Sequence, residues 1–117
     1  PAEYFDIITL NASFQYFENP NKTIEQLFQF LKPKGEIHIL DTPFYAKEEV
    51  NAARKRSTDY FVAQQNEDMM QFYHHHTFTS LGHCQILYKP SRIVNRIASF
   101  FGCYKSPFAW LLIKQSN

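Results

Sequence analysis

Two short apolar runs with a helical pattern between them constrain the fold of this chain more than any other feature of its sequence. The runs extend from Phe5 to Leu10 and from Glu36 to Leu40, and each contains two isoleucines. Such runs are typical of strands buried in a parallel sheet. Between them, apolar residues at helical spacing predict an amphipathic helix from Thr23 to Leu31. We expect Pro33 to end this helix, Gly35 to allow a left-handed exit, and the β-α-β unit to have parallel strands.

Further elements are predicted after residue 45. Strong helix formers indicate a helix from Ala46 to Arg56, with a bend or break near Ser57 to Asp59. The stretch "CQILYKP" predicts a short strand, and "SRIVNRIASFFG" predicts a helix with a cap at its first serine and an end at its glycine. The stretch "PFAWLLIKQ" predicts a terminal strand. Because no linker or internal repeat is present, residues 1–117 are predicted to form a single domain.

Charge and cysteine content bear on partners and location. Twelve Lys and Arg against 11 Asp and Glu give a formal net charge of +1, so we expect neither nucleic acid nor a membrane as partner. Two cysteines, Cys84 and Cys103, without a dense disulfide framework are typical of a reducing compartment, and we predict a cytoplasmic protein. No apolar run approaches the roughly 20 residues that span a bilayer.

The glycines exclude one large class of binding site. Only Gly35, Gly82 and Gly102 occur, and each stands alone. A backbone cradle for a phosphate or a dinucleotide needs clustered glycines, because only a residue without Cβ lets the main chain approach the ligand closely. The 117 residues therefore contain neither a G-x-G-x-x-G motif nor a P-loop.

The order of these elements resembles the second half of a class I S-adenosylmethionine-dependent methyltransferase, from its fourth strand onward. "FDIITLNASFQYF" resembles that strand and its loop, and "LFQFLKPKGEIHIL" resembles the next helix, turn and fifth strand, with Lys34 in place of a glycine. "CQILYKP" and "PFAWLLIKQ" resemble the closing antiparallel pair. The resemblance implies an α/β fold: a partial Rossmann-like sheet, β-α-β-α followed by late antiparallel strands, without the N-terminal cofactor-binding half.

The resemblance also implies where the cofactor contacts lie. The family binds S-adenosylmethionine mainly through a glycine-rich loop, an acidic residue and a polar residue after its first three strands, all of which would precede Phe5. We therefore expect a piece of a longer enzyme or a degenerate half-domain. The intact protein would use S-adenosylmethionine to methylate a small molecule, and we expect none bound to this chain. The acceptor and the methylated atom stay open.

Candidate site residues follow the two strands that carry the resemblance. The loop after the first strand matches the family's loop beside the methionine part of the cofactor, which implies cofactor contacts by Asn11, Ala12, Ser13 and Tyr16. The alternative is a short capped helix with Phe14 and Phe17 in the core. The loop after the second strand matches positions that wall the acceptor pocket, and with the later histidine-rich stretch it implies substrate contacts by Asp41, Pro43, Phe44, Tyr45, Tyr73 and His74. Asp41 is alternatively a simple turn or helix cap.

The histidine run His74 to His76 raises the alternative of a metal protein. Consecutive residues point to different sides in a strand or a helix, so three adjacent histidines do not bind one ion in regular structure. A zinc site would need a loop that also brings His83 and Cys84 round. We therefore predict no metal.

An assembly prediction follows from the resemblance. The family places its first strand against its fourth, so the strand at Phe5 would lose a neighbour and present an apolar open edge. We expect a homo-oligomer through this edge, formed by Phe5, Asp6, Ile7, Ile8, Thr9 and Leu10. The alternative function is a non-catalytic half-domain that dimerises or completes another chain.

Overall fold

A computed structural model describes residues 2–115. In this part of the chain the strands are β1 (Phe5–Asn11), β2 (Leu31–Leu40), β3 (Phe44–Tyr45), β4 (His76–Thr77), β5 (Gln85–Tyr88) and β6 (Trp110–Lys114). The α-helices are α1 (Pro20–Phe28), α2 (Val50–Ala63) and α3 (Arg92–Phe100). Short 3-10 turns cover Phe14–Tyr16, Lys47–Glu49, Glu67–Phe72 and Phe78–Leu81.

The main sheet has four strands in the order β1-β2-β6-β5. β1 and β2 are parallel, as predicted, and β6 is antiparallel to both β2 and β5. β3 and β4 form a separate two-stranded parallel pair, which the sequence did not predict. β5 runs in the same direction as β2. Its carboxyl end at Tyr88 therefore lies level with the carboxyl ends of β1 and β2, at Asn11 and Leu40.

One face of the sheet forms the core. Apolar side chains from β1, β2 and β6 meet there with α1 and the first 3-10 turn, and the cluster includes Leu10, Phe14, Ile24, Ile37, Ile39, Leu111 and Ile113. These positions alternate along β2, so the intervening side chains occupy the opposite face.

The opposite face of β2 carries a polar row. Trp110 Nε1 donates to His38 Nδ1 at 2.9 Å, and His38 Nε2 lies 3.0 Å from Glu36 Oε2. Lys114 Nζ lies 2.8 Å from the other Glu36 oxygen, and Lys114 and then His38 lower the pKa of Glu36. Because the indole only donates, His38 accepts at Nδ1 and donates from Nε2. His38 is thus a hydrogen-bonded, half-buried residue.

The first helix and second strand differ from their predicted bounds. Asn19 caps α1 by accepting from the Lys22 amide at 3.0 Å, so the helix begins at Pro20 and ends at Phe28. Leu31, predicted as helical, pairs with Phe5 at the start of β2. β2 therefore begins five residues before the predicted Glu36, and the register shifts across the intervening residues.

The predicted left-handed exit at Gly35 is wrong. Lys34 adopts the positive φ, at 68°, and Gly35 has a different requirement. A Cβ on Gly35 would lie 2.9 Å from both Leu31 Cδ2 and the Lys32 carbonyl oxygen, and this close approach requires glycine.

The second helix begins later and continues further than predicted. A 3-10 turn precedes it, and α2 runs through Ser57 to Asp59 without a break and ends at Ala63. Thr58 Oγ1 donates to the Arg54 carbonyl, and Lys55 pairs with Asp59 at 3.0 Å, so the polar cluster that predicted a break is bonded within the helix.

β1 lies at an edge of the sheet. Within residues 2–115 it pairs only with β2. Ile7 is 56% exposed, whereas Ile8, also predicted to be exposed, packs partly buried against the core. The apolar part of this edge is therefore narrower than predicted.

Candidate functional site

The loops after β1 and β2 lie side by side, because the two parallel strands end in register. Asn11 pairs with Leu40, and the Ala12 amide donates to the Leu40 carbonyl at 3.0 Å. Ala12 and Asp41 both have φ of 53°, so each chain turns sharply directly after its strand. Left-handed backbone at non-glycine residues costs about 1–2 kcal/mol each, and such strain often accompanies functional sites.

Two buried polar residues connect these loops. Thr42 Oγ1 donates to Gln15 Oε1 at 2.9 Å, and Gln15 Nε2 donates to the Ala12 carbonyl at 3.1 Å. The Gln15 carbonyl also accepts from the His74 amide at 2.8 Å, which fixes the histidine-rich stretch against the first loop. Gln15 therefore joins all three predicted site segments, and sequence reasoning missed it. The signal available was a lone amide among aromatic residues in "SFQYF".

Tyr73 lies at the centre of an aromatic group built from four segments. Its ring is 5.9 Å from Tyr16, 5.7 Å from Phe61 and 5.2 Å from His75. Tyr45 joins through His75, with ring centroids 5.7 Å apart. The structure thus brings together three of the predicted residues, Tyr16, Tyr45 and Tyr73.

Tyr45 and Tyr73 keep their protons at neutral pH, because the pKa of each is raised. Burial raises the pKa of Tyr73, and the nearby Tyr45 and Tyr16 raise it further. Burial also raises the pKa of Tyr45, while Arg56 acts in the opposite direction. Neutral phenols both donate and accept hydrogen bonds.

His75, which sequence reasoning missed, faces the tyrosines. Its Nε2 lies 2.8 Å from Ser57 Oγ. Burial lowers its pKa first, and Arg54, the neighbouring histidines and Arg56 lower it further, so the imidazole is neutral at pH 7. A neutral imidazole is able to accept a proton.

His74 and His76 share the other side of their strand-like segment. Their rings lie 6.2 Å apart, while His75 points the opposite way. His76 is buried between Phe14 and Phe44, burial lowers its pKa, and its Nε2 has no hydrogen-bond partner among the described residues. Within residues 2–115, no three His, Cys, Asp or Glu side chains are grouped so that they could hold a metal ion.

The remaining predicted residues have varied positions. Asn11, Ala12 and Asp41 are exposed, and Phe44 belongs to the core. Ser13 precedes the 3-10 turn, but its side chain makes no capping bond. Phe14 is fully buried, as its alternative assignment required, whereas Phe17 is 40% exposed and is not core.

A cavity of about 610 Å³ opens beside the aromatic group. Pro43, Phe44 and Tyr45 line one side, and the segment between β5 and β6 lines the other. Three cations and one carboxylate face it: Arg56, Lys89, Arg92 and Glu49. Sequence reasoning did not place any of these three cations at the site, although Lys89 directly follows β5, which ends beside it.

All three glycines of the chain lie within the described residues. Gly82 and Gly102, at φ of 62° and 76°, have open space around them, and Gly35 packs against its own strand, so the described residues form no glycine cradle. No helix in residues 2–115 has the length and apolarity needed to cross a membrane.

Comparison with models of protein families gives a match for the first part of the chain. Residues 1–39 match the family model described as Methyltransferase domain. This stretch holds β1, α1 and β2 up to its penultimate residue. Neither the curated proteins nor the solved structures yield a match. The match supports a methyltransferase domain at the N-terminal end of this chain, and the four-stranded α/β arrangement is compatible with a partial methyltransferase fold. The match does not show which half of that domain the chain represents, so the second-half assignment remains a prediction for all of residues 1–117.

Proposed function

We propose that this chain forms the acceptor side of an S-adenosylmethionine-dependent methyltransferase that acts on a small molecule. The main support for the proposal is that the candidate site lies at the ends of the strands that match the family. The strands within the family match lead to the loops that carry Tyr16 and Tyr45, and His75 and the cavity lie beside Tyr45. In open α/β sheets, ligands bind outside the carboxyl ends of the strands.

In this proposal one set of residues contacts the cofactor and another set contacts the acceptor. Asn11, Ala12, Ser13 and Tyr16 form the wall towards the cofactor, which supplies an electrophilic methyl group when bound by the intact protein. Tyr45 and Tyr73 contact the acceptor, since their half-buried phenols offer both an apolar face and a hydroxyl. Pro43 and Phe44 form the cavity wall, with Asp41 and His74 in the adjoining loops.

His75 has a separate role in this proposal. Methyl transfer depends mainly on alignment of the acceptor atom, and a base is needed only where that atom loses a proton. His75 is neutral, lies in the aromatic group and is held near the Ser57 hydroxyl at 2.8 Å. It is the proton acceptor for a hydroxyl or amine acceptor.

The charged side chains that line the cavity indicate which chemical class of acceptor would bind there. Arg56, Lys89 and Arg92 outnumber Glu49 on a lining that also includes Phe44 and Phe78. An acceptor with an apolar body and a carboxylate or phosphate group fits this lining.

The experiment is methyl transfer by the full-length product of the gene. Labelled S-adenosylmethionine is incubated with paired small hydroxy- and amino-compounds that carry or lack a carboxylate. We expect acceptor-dependent transfer, a lower KM for the carboxylate-bearing member, and a KM raised about fivefold or more by Arg56→Gln, the loss of one charge-assisted bond. Lys55→Gln, on the same helix but paired with Asp59, is the control. Transfer to none of the compounds would contradict the proposal.

The open edge of β1 favours a second candidate, a non-catalytic half-domain that dimerises or completes another chain. Phe5, Asp6, Ile7, Ile8, Thr9 and Leu10 lie on a strand with no neighbour on one side within residues 2–115. Unpaired strand groups at such an edge favour pairing with another strand. The two candidates are compatible if the added strand belongs to the cofactor-binding part of the same enzyme.

A further inference from the structure

The apolar side of α3 faces away from the protein. Six large apolar side chains on or just after this helix are between 47% and 88% exposed: Ile93, Val94, Ile97, Phe100, Phe101 and Tyr104. No residue of α3 is buried. The sequence pattern alone would place such residues in a core, and the structure does the reverse.

The helix is attached through its polar side. Asn95 Nδ2 donates to the Ser106 carbonyl at 3.4 Å, and Tyr88 on β5 donates to the same oxygen at 2.9 Å. At about 100° per residue, Ile93, Ile97 and Phe100 form one stripe and Asn95 lies on the opposite side of the helix. The stripe therefore points directly away from the contacts that hold the helix.

The charged residues on α3 and next to it along the chain all carry positive charge. Residues 69–117 contain no Asp or Glu, and they carry five of the 12 Lys and Arg of the chain. Four of these, Lys89, Arg92, Arg96 and Lys105, are exposed, lie on or beside α3, and form no ion pair with any residue between 2 and 115. The net charge of +1 conceals this asymmetry, because the acidic residues all lie between Glu3 and Asp68.

The position of α3 separates it from the open edge of β1. α3 follows β5, and β5 is the opposite edge strand of the sheet. At about 4.8 Å per strand, the two edges are about 14 Å apart. A strand or domain that completes the sheet beside β1 therefore extends away from the stripe.

We propose that α3 is an interfacial helix that docks on an anionic lipid surface. Aromatic and aliphatic side chains on one helix face, with cations around them, are the features that insert at the boundary of headgroups and acyl chains. The surrounding cations select anionic lipid over a neutral surface or a purely apolar protein partner. This proposal differs from the expectation, drawn from net charge, that a membrane is not a partner. The inference is independent of the proposed function.

The test is vesicle sedimentation with the full chain. The vesicles are neutral phosphatidylcholine, or phosphatidylcholine with one quarter phosphatidylglycerol. We expect binding to the anionic vesicles, weak binding to the neutral ones, and weaker binding in 0.5 M NaCl, because salt screens the attraction. Phe100→Ser and Arg96→Gln should each lower the partition coefficient about fivefold or more.

Matched control variants distinguish vesicle binding through this surface from nonspecific binding through other exposed residues. Phe72→Ser removes a 54% exposed phenylalanine elsewhere, and Lys22→Gln removes an exposed cation from α1. Both should bind vesicles as the wild type does. Equal binding to neutral vesicles, equal losses in the controls, or no binding would overturn the proposal. So would a dimer whose mass is lost in Phe100→Ser, because the stripe would then belong to a second copy.

Discussion

At the scale of single residues, the candidate site depends on neutral polar side chains held among aromatic rings. Tyr45 and Tyr73 keep their protons because burial raises the pKa of each, and His75 stays unprotonated because burial lowers its pKa. The family resemblance implied Tyr45 from the loop after the second strand, and Tyr73 was predicted with the histidine-rich stretch. It did not predict His75, because which member of a histidine run faces a site depends on the backbone direction of that segment.

Removal of one phenol tests this arrangement. Tyr45→Phe should lower kcat/KM of the full-length enzyme about fivefold, the value of one hydrogen bond of about 1 kcal/mol, with an unchanged unfolding midpoint. Tyr60→Phe, on α2 and 60% exposed, is the control and should behave as the wild type. Steady-state kinetics with thermal unfolding of each variant are the measurements. Wild-type kinetics in Tyr45→Phe would remove this residue from the site.

His76 predicts a pH dependence of stability. Burial lowers its pKa below the ordinary 6.5, while backbone groups of Phe14 and Phe17 act in the opposite direction. The unfolded chain therefore binds more protons than the folded one between the lowered pKa and 6.5. The free energy of unfolding should have its full value above pH 6.5, where His76 is neutral in both states, and should decrease as the pH is lowered through this window.

Urea unfolding of the chain at several pH values measures this dependence. His75, whose pKa is also lowered, contributes with the same sign. His76→Phe should therefore reduce the slope without abolishing it, and an unchanged slope would show that His76 is not the titrating group.

At the scale of elements, the sequence predicted types and order better than boundaries. The β-α-β unit was predictable because apolar periodicity and turn residues agree over residues 5–40. The start of β2 at Leu31 was not predictable, because the pairing of Leu31 with Phe5 is a non-local contact. The exposure of α3 was not predictable either, because an amphipathic pattern shows that one face of a helix is apolar but not what covers that face.

A single substitution tests the hydrogen bond between Thr42 and Gln15, which connects the two site loops. Thr42→Val keeps the side-chain shape but leaves the buried Gln15 Oε1 without a donor. We expect a loss of about 1–3 kcal/mol in the free energy of unfolding. Thr58→Val, at an exposed helix position where the hydroxyl donates to the Arg54 carbonyl, should cost less. Equal effects in denaturant unfolding would mean that the buried contact between the loops adds no more stability than an exposed hydrogen bond does.

At the scale of the whole molecule, the chain is extended for its length. Its radius of gyration is 16.0 Å, against about 13 Å for a compact domain of about 100 residues. The open edge of β1 and the outward face of α3 are consistent with this extension. Both are surfaces at which a further segment, chain or membrane would bury apolar groups.

Mass measurement tests the β1 edge. Size exclusion with light scattering should give more than the monomer mass of 13.9 kDa at micromolar concentration. Ile7→Lys should shift the chain towards the monomer, because lysine discourages edge pairing. Ile86→Lys, at a 41% exposed position on the opposite edge strand, is the control and should keep the wild-type mass. A monomer mass for the wild type would contradict assembly through β1.

The most direct test of the methyltransferase assignment locates the transferred methyl group. The full-length protein is saturated with S-adenosylmethionine carrying a ¹³C-labelled methyl group, and isotope-filtered nuclear Overhauser spectra are recorded without acceptor. We expect contacts from this methyl group to ring protons of Tyr16 and Tyr45, and the contacts to each ring should be lost in the corresponding alanine variant. A saturated protein in which the methyl group contacts neither ring, or no cofactor binding at all, would contradict the methyltransferase assignment.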